Sequence, residues 1–181
     1  MTPAEARALL AEADLVCPAA QVAASVDRLA GQIAERLADV QPLVLTVMGG
    51  AVVFAGHLLP KLAFPLDCDY LHVTRYGDAT HGSNLTWVAE PRLPVAGRIV
   101  LVLDDILDEG VTLAAIKARV LERGAAQCLV AVLTEKDTGR EKPIRPDFVG
   151  LVLPNRYVFG YGMDVKGAWR NLPAIYAVKG L

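Results

Sequence analysis

The chain has 181 residues, of which 54% are hydrophobic, and a formal net charge of −2 at pH 7. A chain of this length most simply forms one domain and can bury roughly 70% of its unfolded surface without disulfides or metal ions. The near-neutral charge argues against the basic field with which proteins recruit nucleic acid or an anionic membrane.

Three features of the sequence predict a cytoplasmic location. The first 15 residues carry acids where a secretory signal needs positive charge. The most apolar segment, 43–59, is interrupted by Gly49-Gly50, which favours strand, turn and helix over a membrane span. We expect the cysteines to be small buried side chains in a reducing cytosol, because no CxxC pair is present. They are Cys17, Cys68 and Cys128.

Apolar periodicity predicts alternating helices and strands along the chain. Helices are expected over 4–12, 21–39, 51–62 and 113–124. Strands are expected over 43–47, 66–74, 85–90, 99–103, 127–134, 148–153 and 175–178. Polar or irregular connections are expected over 75–84, 135–146 and 155–172. The helix at 21–39 should pack through one apolar stripe, formed by Val22, Val26, Leu29, Ile33 and Leu37. The helix at 51–62 should bury Val52, Val53, Leu58 and Leu59. This alternation predicts an α/β fold with a mainly parallel central sheet flanked by helices.

The segment 99–112, IVLVLDDILDEGVT, carries the densest chemical signal. Five aliphatic residues predict a strand buried on both faces. Four carboxylates and a glycine then lead into the next helix; the acids are Asp104, Asp105, Asp108 and Glu109. An acidic loop between strand and helix lies at the carboxyl edge of an open α/β sheet, where ligands usually bind.

Three interpretations of this loop differ in what they explain. A solvated turn that caps the helix accounts for Asp108 or Glu109 but leaves Asp104-Asp105 without a role. The magnesium-binding strand of a P-loop nucleotide hydrolase requires GxxxxGK[ST], which the sequence lacks. In a ribose-phosphate site, paired carboxylates bind vicinal hydroxyls and the backbone amides of 108–112 bind a phosphate.

The sequence also resembles a known family. LVLDDILDEGVT is similar to the phosphoribosyl-pyrophosphate (PRPP) signature of type I phosphoribosyltransferases. The likeness extends along nearly the whole chain to hypoxanthine-guanine phosphoribosyltransferases, particularly the bacterial hypoxanthine type. The segments that carry it, in the family's order, are VMGGAVVFAG, YLHVTRYGD, LTEKDTGR, PDFVG and RYVFGYGMDVKGAWRN.

The resemblance implies roles on the sugar and phosphate side. Asp104 and Asp105 would hold the ribose hydroxyls, directly or through Mg²⁺. Asp108 also matches the family's general acid/base at purine N7, and general acid/base catalysis typically raises a reaction rate by about 10²–10⁴-fold. The whole set implied for PRPP and nucleotide phosphates is Asp104, Asp105, Asp108, Glu109, Gly110, Val111, Thr112, Gly49, Gly50 and Arg170.

The resemblance implies a second set of residues on the purine side. Lys136 is similar to the lysine that donates to O6 of a 6-oxopurine and would confront the amino group of adenine with another donor. Tyr157 would stack on the base, and the backbone of Val158 would contact its edge. Asp164 completes this set and would bind Mg²⁺ together with Asp104 and Asp105.

Two positions depart from the family pattern. Met48 stands where many relatives have a lysine, and Arg75 stands where others have a small hydroxyl residue. Contacts of the expected lid near 74–88, which includes Arg75 and Tyr76, therefore cannot be transferred. The resemblance further implies one domain over 1–181 with a small hood formed by the terminal segments.

The implied activity is Mg²⁺-dependent transfer of 5-phosphoribose from PRPP to N9 of hypoxanthine and guanine. The products would be IMP or GMP and pyrophosphate, in purine salvage, and the enzyme would be a homodimer or homotetramer with no nucleic-acid or membrane partner. One rival is a regulator that keeps the PRPP pocket but binds nucleic acid, which the mixed charges disfavour. Another is a xanthine- or adenine-directed transferase, and Lys136 argues only against adenine.

Overall fold

The computed structural model describes residues 1–76 and 84–181. The helices are α1 (Pro3–Glu12), α2 (Ala19–Leu37), α3 (Ala51–Leu58) and α4 (Val111–Glu122). The strands are β1 (Asp14–Cys17), β2 (Leu43–Met48), β3 (Asp67–Tyr76), β4 (Asn84–Ala89), β5 (Ile99–Leu107), β6 (Gln127–Asp137), β7 (Phe148–Pro154), β8 (Val158–Phe159) and β9 (Ile175–Ala177). None of the helices in these residues is both long and apolar enough to cross a membrane.

Six strands form the central sheet in the order β4-β3-β2-β5-β6-β7. All neighbours are parallel except β3 and β4, which pair antiparallel. The mainly parallel sheet flanked by helices is therefore confirmed. The terminal segments form a separate antiparallel sheet in the order β1-β9-β8. That this small sheet serves as a hood stays a prediction.

The core lies on both faces of the central sheet. Leu101 and Leu103 of β5 pack on one face with α2 and α3, whereas Val100 and Val102 pack on the other with α4. Alternate residues of one strand point to opposite faces, so an unbroken aliphatic run fits a strand covered on both sides. The predicted apolar stripe of α2 is buried, at Val22, Val26, Leu29, Ile33 and Leu37.

Helix α3 ends earlier than predicted and turns a different face inward. It stops at Leu58 and a short 3₁₀ turn follows over Leu59–Lys61, because Pro60 cannot donate the next helical hydrogen bond. Val52 was predicted to be a core residue but is 48% exposed. The buried residues are Ala51, Phe54, Ala55 and Leu58.

Strands β5 and β6 are longer than predicted, which changes where the site residues lie. Their parallel pairing continues to Leu107 and Glu135, although charged residues interrupt the apolar pattern. Sheet pairing joins backbone groups, so the carboxylates did not end the strand. Asp104 and Asp105 therefore belong to β5, and Lys136 belongs to β6 rather than to a charged loop.

Smaller elements also differ from the predictions. The short strands β1 and β8 had no periodic signal and were not predicted. All three cysteines are free, but only Cys17 and Cys128 are buried. Cys68 is exposed on the same face of β3 as Tyr70, because that strand buries Leu71 on its opposite face.

Candidate active site

A cavity of about 600 Å³ opens at the carboxyl ends of β2 and β5. These strands are neighbours, and the chain continues from β2 to β3 on one side but from β5 to β6 on the other. Such a reversal of strand order separates the two loops and leaves a crevice between them. The wall includes Met48 at the end of β2, Gly49 and Gly50 after it, His72–Thr74 of β3, the 104–110 segment with Thr112, and Arg170.

The two adjacent acids of β5 are buried in the wall of this cavity. Asp104 and Asp105 are each 9% exposed. The backbone N–H of Asp105 donates to Asp104 Oδ1 at 3.1 Å, and that of Ile106 donates to Asp105 Oδ1 at 2.9 Å. Thr134, itself buried, donates to the carbonyl oxygen of Asp105 at 2.9 Å. The backbone and carboxylates are thus held in one arrangement.

Burial makes this pair a site for hydroxyl donors or a cation. Desolvation, reinforced by the charge of Asp105, raises the pKa of Asp104 well above its ordinary value of 3.8. Desolvation also raises the pKa of Asp105, against the opposing effects of its hydrogen bonds with Asp104 and the backbone N–H of Ile106 and of the charge of Arg170. In the described residues no cluster of three or more His, Cys, Asp or Glu side chains could form a complete metal cage. Two carboxylates suffice for Mg²⁺ when a substrate and water supply the other oxygens.

Glycine is required beside this pair for a reason that sequence reasoning missed. A Cβ on Gly50 would lie 1.9 Å from Asp105 Oδ2, so the absence of a side chain makes room for the buried carboxylate. A Cβ on Gly162, whose φ is +103°, would lie 2.1 Å from the carbonyl oxygen of Gly50. A Cβ on Gly49 would meet nothing within 4 Å, and the Met48–Gly49 peptide is cis. Of these two glycines of the implied PRPP set, only Gly49 therefore leaves open space for a ligand.

The predicted phosphate loop leads into a helix N-terminus. Gly110 has φ +82° and directly precedes α4. It is also closely packed, because a Cβ there would lie 3.1 Å from Ile144 and 3.2 Å from Leu107. Gly110 and Thr112 line the cavity, so the positive end of the helix dipole adjoins it. Val111 lies in the wall of a different cavity, with Asp108 and Glu109.

The tertiary structure joins the predicted acid/base residue to the predicted purine-binding lysine. Lys136 Nζ donates to Asp108 Oδ2 at 2.5 Å, although 28 residues separate them. The Lys136 side chain is 10% exposed, whereas that of Asp108 is 47% exposed. Asp108 lines the main cavity, and Lys136 lines a second cavity of about 410 Å³ formed by 135–142 and neighbouring residues.

Asp164 and Arg170 form a second ion pair. Arg170 Nη2 lies 2.5 Å from Asp164 Oδ1, and Arg170 Nη1 donates to the carbonyl oxygen of Gly162 at 2.6 Å. The backbone N–H of Gly167 donates to Asp164 Oδ2 at 2.7 Å. This pair orients the Arg170 guanidinium, which lines the main cavity.

The residues predicted to bind the purine do not line the main cavity. In the described part of the chain, the main cavity is lined by Asp108 and Arg170 but not by Lys136, Tyr157, Val158 or Asp164. Tyr157 is 46% exposed, whereas Val158 is buried and pairs with Ala177 of β9. Their roles toward a base stay predictions.

The predicted lid is only partly described. Arg75 and Tyr76 end β3 and pair with Leu85 and Asn84 of β4. Residues 77–83, the middle of the lid predicted near 74–88, lie outside the described residues.

Comparisons with known proteins give one consistent result. A family model described as "Phosphoribosyl transferase domain" matches residues 18–166. Hypoxanthine-guanine-xanthine phosphoribosyltransferase of Tritrichomonas foetus is 36% identical over 155 residues, covering 85% of each protein. Hypoxanthine-guanine phosphoribosyltransferase of Bacillus subtilis is 31% identical over 160 residues, covering 88% of this chain and 89% of the relative. A solved hypoxanthine-guanine-xanthine phosphoribosyltransferase superposes with a TM-score of 0.83 at 31% identity, covering 91% of this chain and 96% of the other.

Proposed function

The chain belongs to the phosphoribosyl transferase domain family, and on that basis we propose that it transfers 5-phosphoribose from PRPP to N9 of hypoxanthine and guanine. The reaction would yield IMP or GMP and pyrophosphate in purine salvage. The Asp108–Lys136 pair, with its 2.5 Å contact beside the helix N-terminus, carries this proposal. N7 and O6 lie side by side on one edge of a 6-oxopurine, so an adjoining carboxylate and ammonium suit both atoms.

The proposed chemistry assigns each bond change to a residue of the chain. The bond from the anomeric carbon of the ribose to pyrophosphate breaks as the bond to N9 of the base forms. The purine then loses its N7 proton, which Asp108 accepts. Lys136 donates to O6, and the amides from Asp108 to Thr112 hold the 5′-phosphate at the start of α4. Arg170 and the open face of Gly49 receive the pyrophosphate.

The buried acids fit magnesium bound through the substrate. We propose that Asp104 and Asp105 hold the ribose hydroxyls and Mg²⁺, and that Asp164 supplies a further contact on the pyrophosphate side. The raised pKa values of the β5 pair, caused mainly by burial, indicate carboxylates that lack full compensation in the protein alone. Bound Mg²⁺ would neutralise charge on the leaving pyrophosphate.

Other parts of the proposal concern context. We propose one domain over 1–181, a lid near 74–88 closing over the site, a homodimer or homotetramer, and a cytoplasmic location. We propose no nucleic-acid partner, because a net charge of −2 gives the protein no overall positive field that would recruit one. Light scattering of the purified protein tests the oligomeric state.

The names of two similar proteins favour xanthine as a further base. Both the Tritrichomonas foetus relative and the solved structure with 31% identity are named hypoxanthine-guanine-xanthine phosphoribosyltransferases. Xanthine shares the O6 atom that Lys136 would contact. Xanthine transfer is therefore the second candidate activity.

The direct test is pyrophosphate release with Mg²⁺, PRPP and each base in turn. We expect release with hypoxanthine and guanine and none with adenine. The variant Asp108→Asn should lower turnover by about 10²–10⁴-fold while changing PRPP affinity far less. The exposed Glu141→Gln variant serves as a matched control. No release with any 6-oxopurine would reject the proposal. Tight RNA or DNA binding without release would favour the alternative, a regulator that keeps the PRPP pocket but binds nucleic acid.

A further inference from the structure

Lys142 is a largely buried cation that the proposed chemistry does not use. Its side chain is only 10% exposed. Its ammonium group donates to the carbonyl oxygen of Lys136 at 2.6 Å, to that of Leu107 at 3.3 Å, and to Glu135 Oε1 at 3.1 Å. A lysine ammonium has three N–H donors, and here each has an acceptor.

These three acceptors lie where the two site strands stop pairing. The last pair between β5 and β6 is Leu107 with Glu135. Asp108 and Lys136 each follow that pair by one residue. The register between the two strands thus ends one residue before the two residues that would contact the base, and the Lys142 ammonium bridges both strands at that point.

We propose that Lys142 is a positioning residue that sets the distance between Asp108 and Lys136, and this inference rests on the proposed function. Its bond to the Leu107 carbonyl restrains the peptide that joins Leu107 to Asp108. Its bond to the Lys136 carbonyl restrains the backbone that carries the other member of the pair. Glu135 holds the ammonium in place and balances its charge, so Lys142 need not repel Lys136.

The same loop supports the phosphate side through different atoms. Pro143 and Ile144 pack against Gly110, at 3.4 and 3.1 Å from the position that a Cβ would take. This support is apolar and does not involve the Lys142 ammonium. Of the proposed phosphate-binding amides from Asp108 to Thr112, only that of Asp108 belongs to the peptide that Lys142 restrains. Loss of the ammonium should therefore disturb base recognition more than phosphate binding.

The test compares Lys142→Met, Lys142→Arg and Arg145→Met in steady-state pyrophosphate release. Methionine keeps the unbranched apolar stem and removes the three donors, whereas arginine restores donors and charge. Arg145 is an exposed cation of the same loop, so its variant controls for the loss of charge. We expect Lys142→Met to lower kcat/KM for hypoxanthine by about ten- to one-hundredfold, because small misplacements of reacting groups have effects of that size.

The pattern of the loss separates positioning from simple destabilisation. We expect the KM for hypoxanthine to rise while the KM for PRPP stays nearly constant, and Lys142→Arg to recover most of the loss. A destabilised enzyme would instead show a lower active fraction with both KM values unchanged. If Lys142→Met does not fold, Lys142→Gln replaces it, since the amide keeps two donors and should give an intermediate loss with the same KM pattern.

Three results would overturn the inference alone: wild-type activity in Lys142→Met, an equal loss in Arg145→Met, or a loss confined to kcat. A wild-type protein that releases no pyrophosphate with any 6-oxopurine would instead overturn the proposed function, and the inference with it.

Discussion

Replacement of Gly50 by alanine should displace Asp105 and destabilise the protein. Gly50 has φ −66° and ψ −46°, which alanine adopts readily, so backbone strain is not the cause. The added Cβ would lie 1.9 Å from Asp105 Oδ2 and 2.6 Å from Asp105 Cγ. Restoring an ordinary carbon–oxygen contact of about 3.3 Å requires the carboxylate to move by about 1.4 Å.

The energetic effect follows from the contacts of Asp105. Movement of that size breaks the 2.9 Å hydrogen bond from the N–H of Ile106. Losing a hydrogen bond to a charged group costs about 1.5–3 kcal/mol, and the gain from replacing glycine at a compatible backbone offsets about 0.4–1 kcal/mol. We therefore expect a net loss of about 0.5–2.6 kcal/mol and a Tm lower by about 1–10 °C.

The neighbouring glycine supplies a matched control for this experiment. A Cβ on Gly49 would meet no protein atom within 4 Å, so Gly49→Ala should change stability by less than about 0.5 kcal/mol. Urea unfolding measures both variants, and pyrophosphate release measures their activity. Gly50→Ala should lose activity because Asp105 moves, whereas Gly49→Ala should raise the KM for PRPP because its methyl group enters the cavity. A Gly50→Ala protein with wild-type stability and turnover would refute the argument.

Two further predictions concern charges in the site. Because burial raises the pKa of Asp104, the stability that this carboxyl contributes is complete below its ordinary value of 3.8 and is lost as pH rises through the raised value. Without ligand at neutral pH, Asp104→Asn should thus be more stable than the wild type. Urea titrations should show that the difference in free energy of unfolding shrinks toward acid pH. A variant that is less stable than the wild type at neutral pH would contradict this. Lys136→Gln should raise the KM for hypoxanthine by about ten- to one-hundredfold, the effect of losing a charged hydrogen bond, with little change in the KM for PRPP. Unchanged kinetics with hypoxanthine would remove Lys136 from the base site.

Local patterns were sufficient for the central elements of the fold. The aliphatic run at 99–103 predicted a strand covered on both faces, and the stripe of α2 predicted its buried side. Such patterns do not predict strands that bury few side chains, nor strand ends that depend on backbone pairing alone. The strand β1 has four residues with only Cys17 buried, and β5 and β6 continue through charged residues because backbone pairing does not depend on side-chain polarity.

The order of residues along the chain determined which chemical groups are available, in particular the acids of β5, the glycine before α4 and the lysine in TEKDTGR. Only the tertiary structure decided which of them meet. Asp108 and Lys136 adjoin because β5 and β6 pair in one parallel register, and Gly50 makes room for Asp105 because β2 lies beside β5. Lys142 reaches both strand ends because the loop after β6 turns back over them. Register and loop path depend on contacts between distant parts of the chain, which the sequence around each residue does not specify.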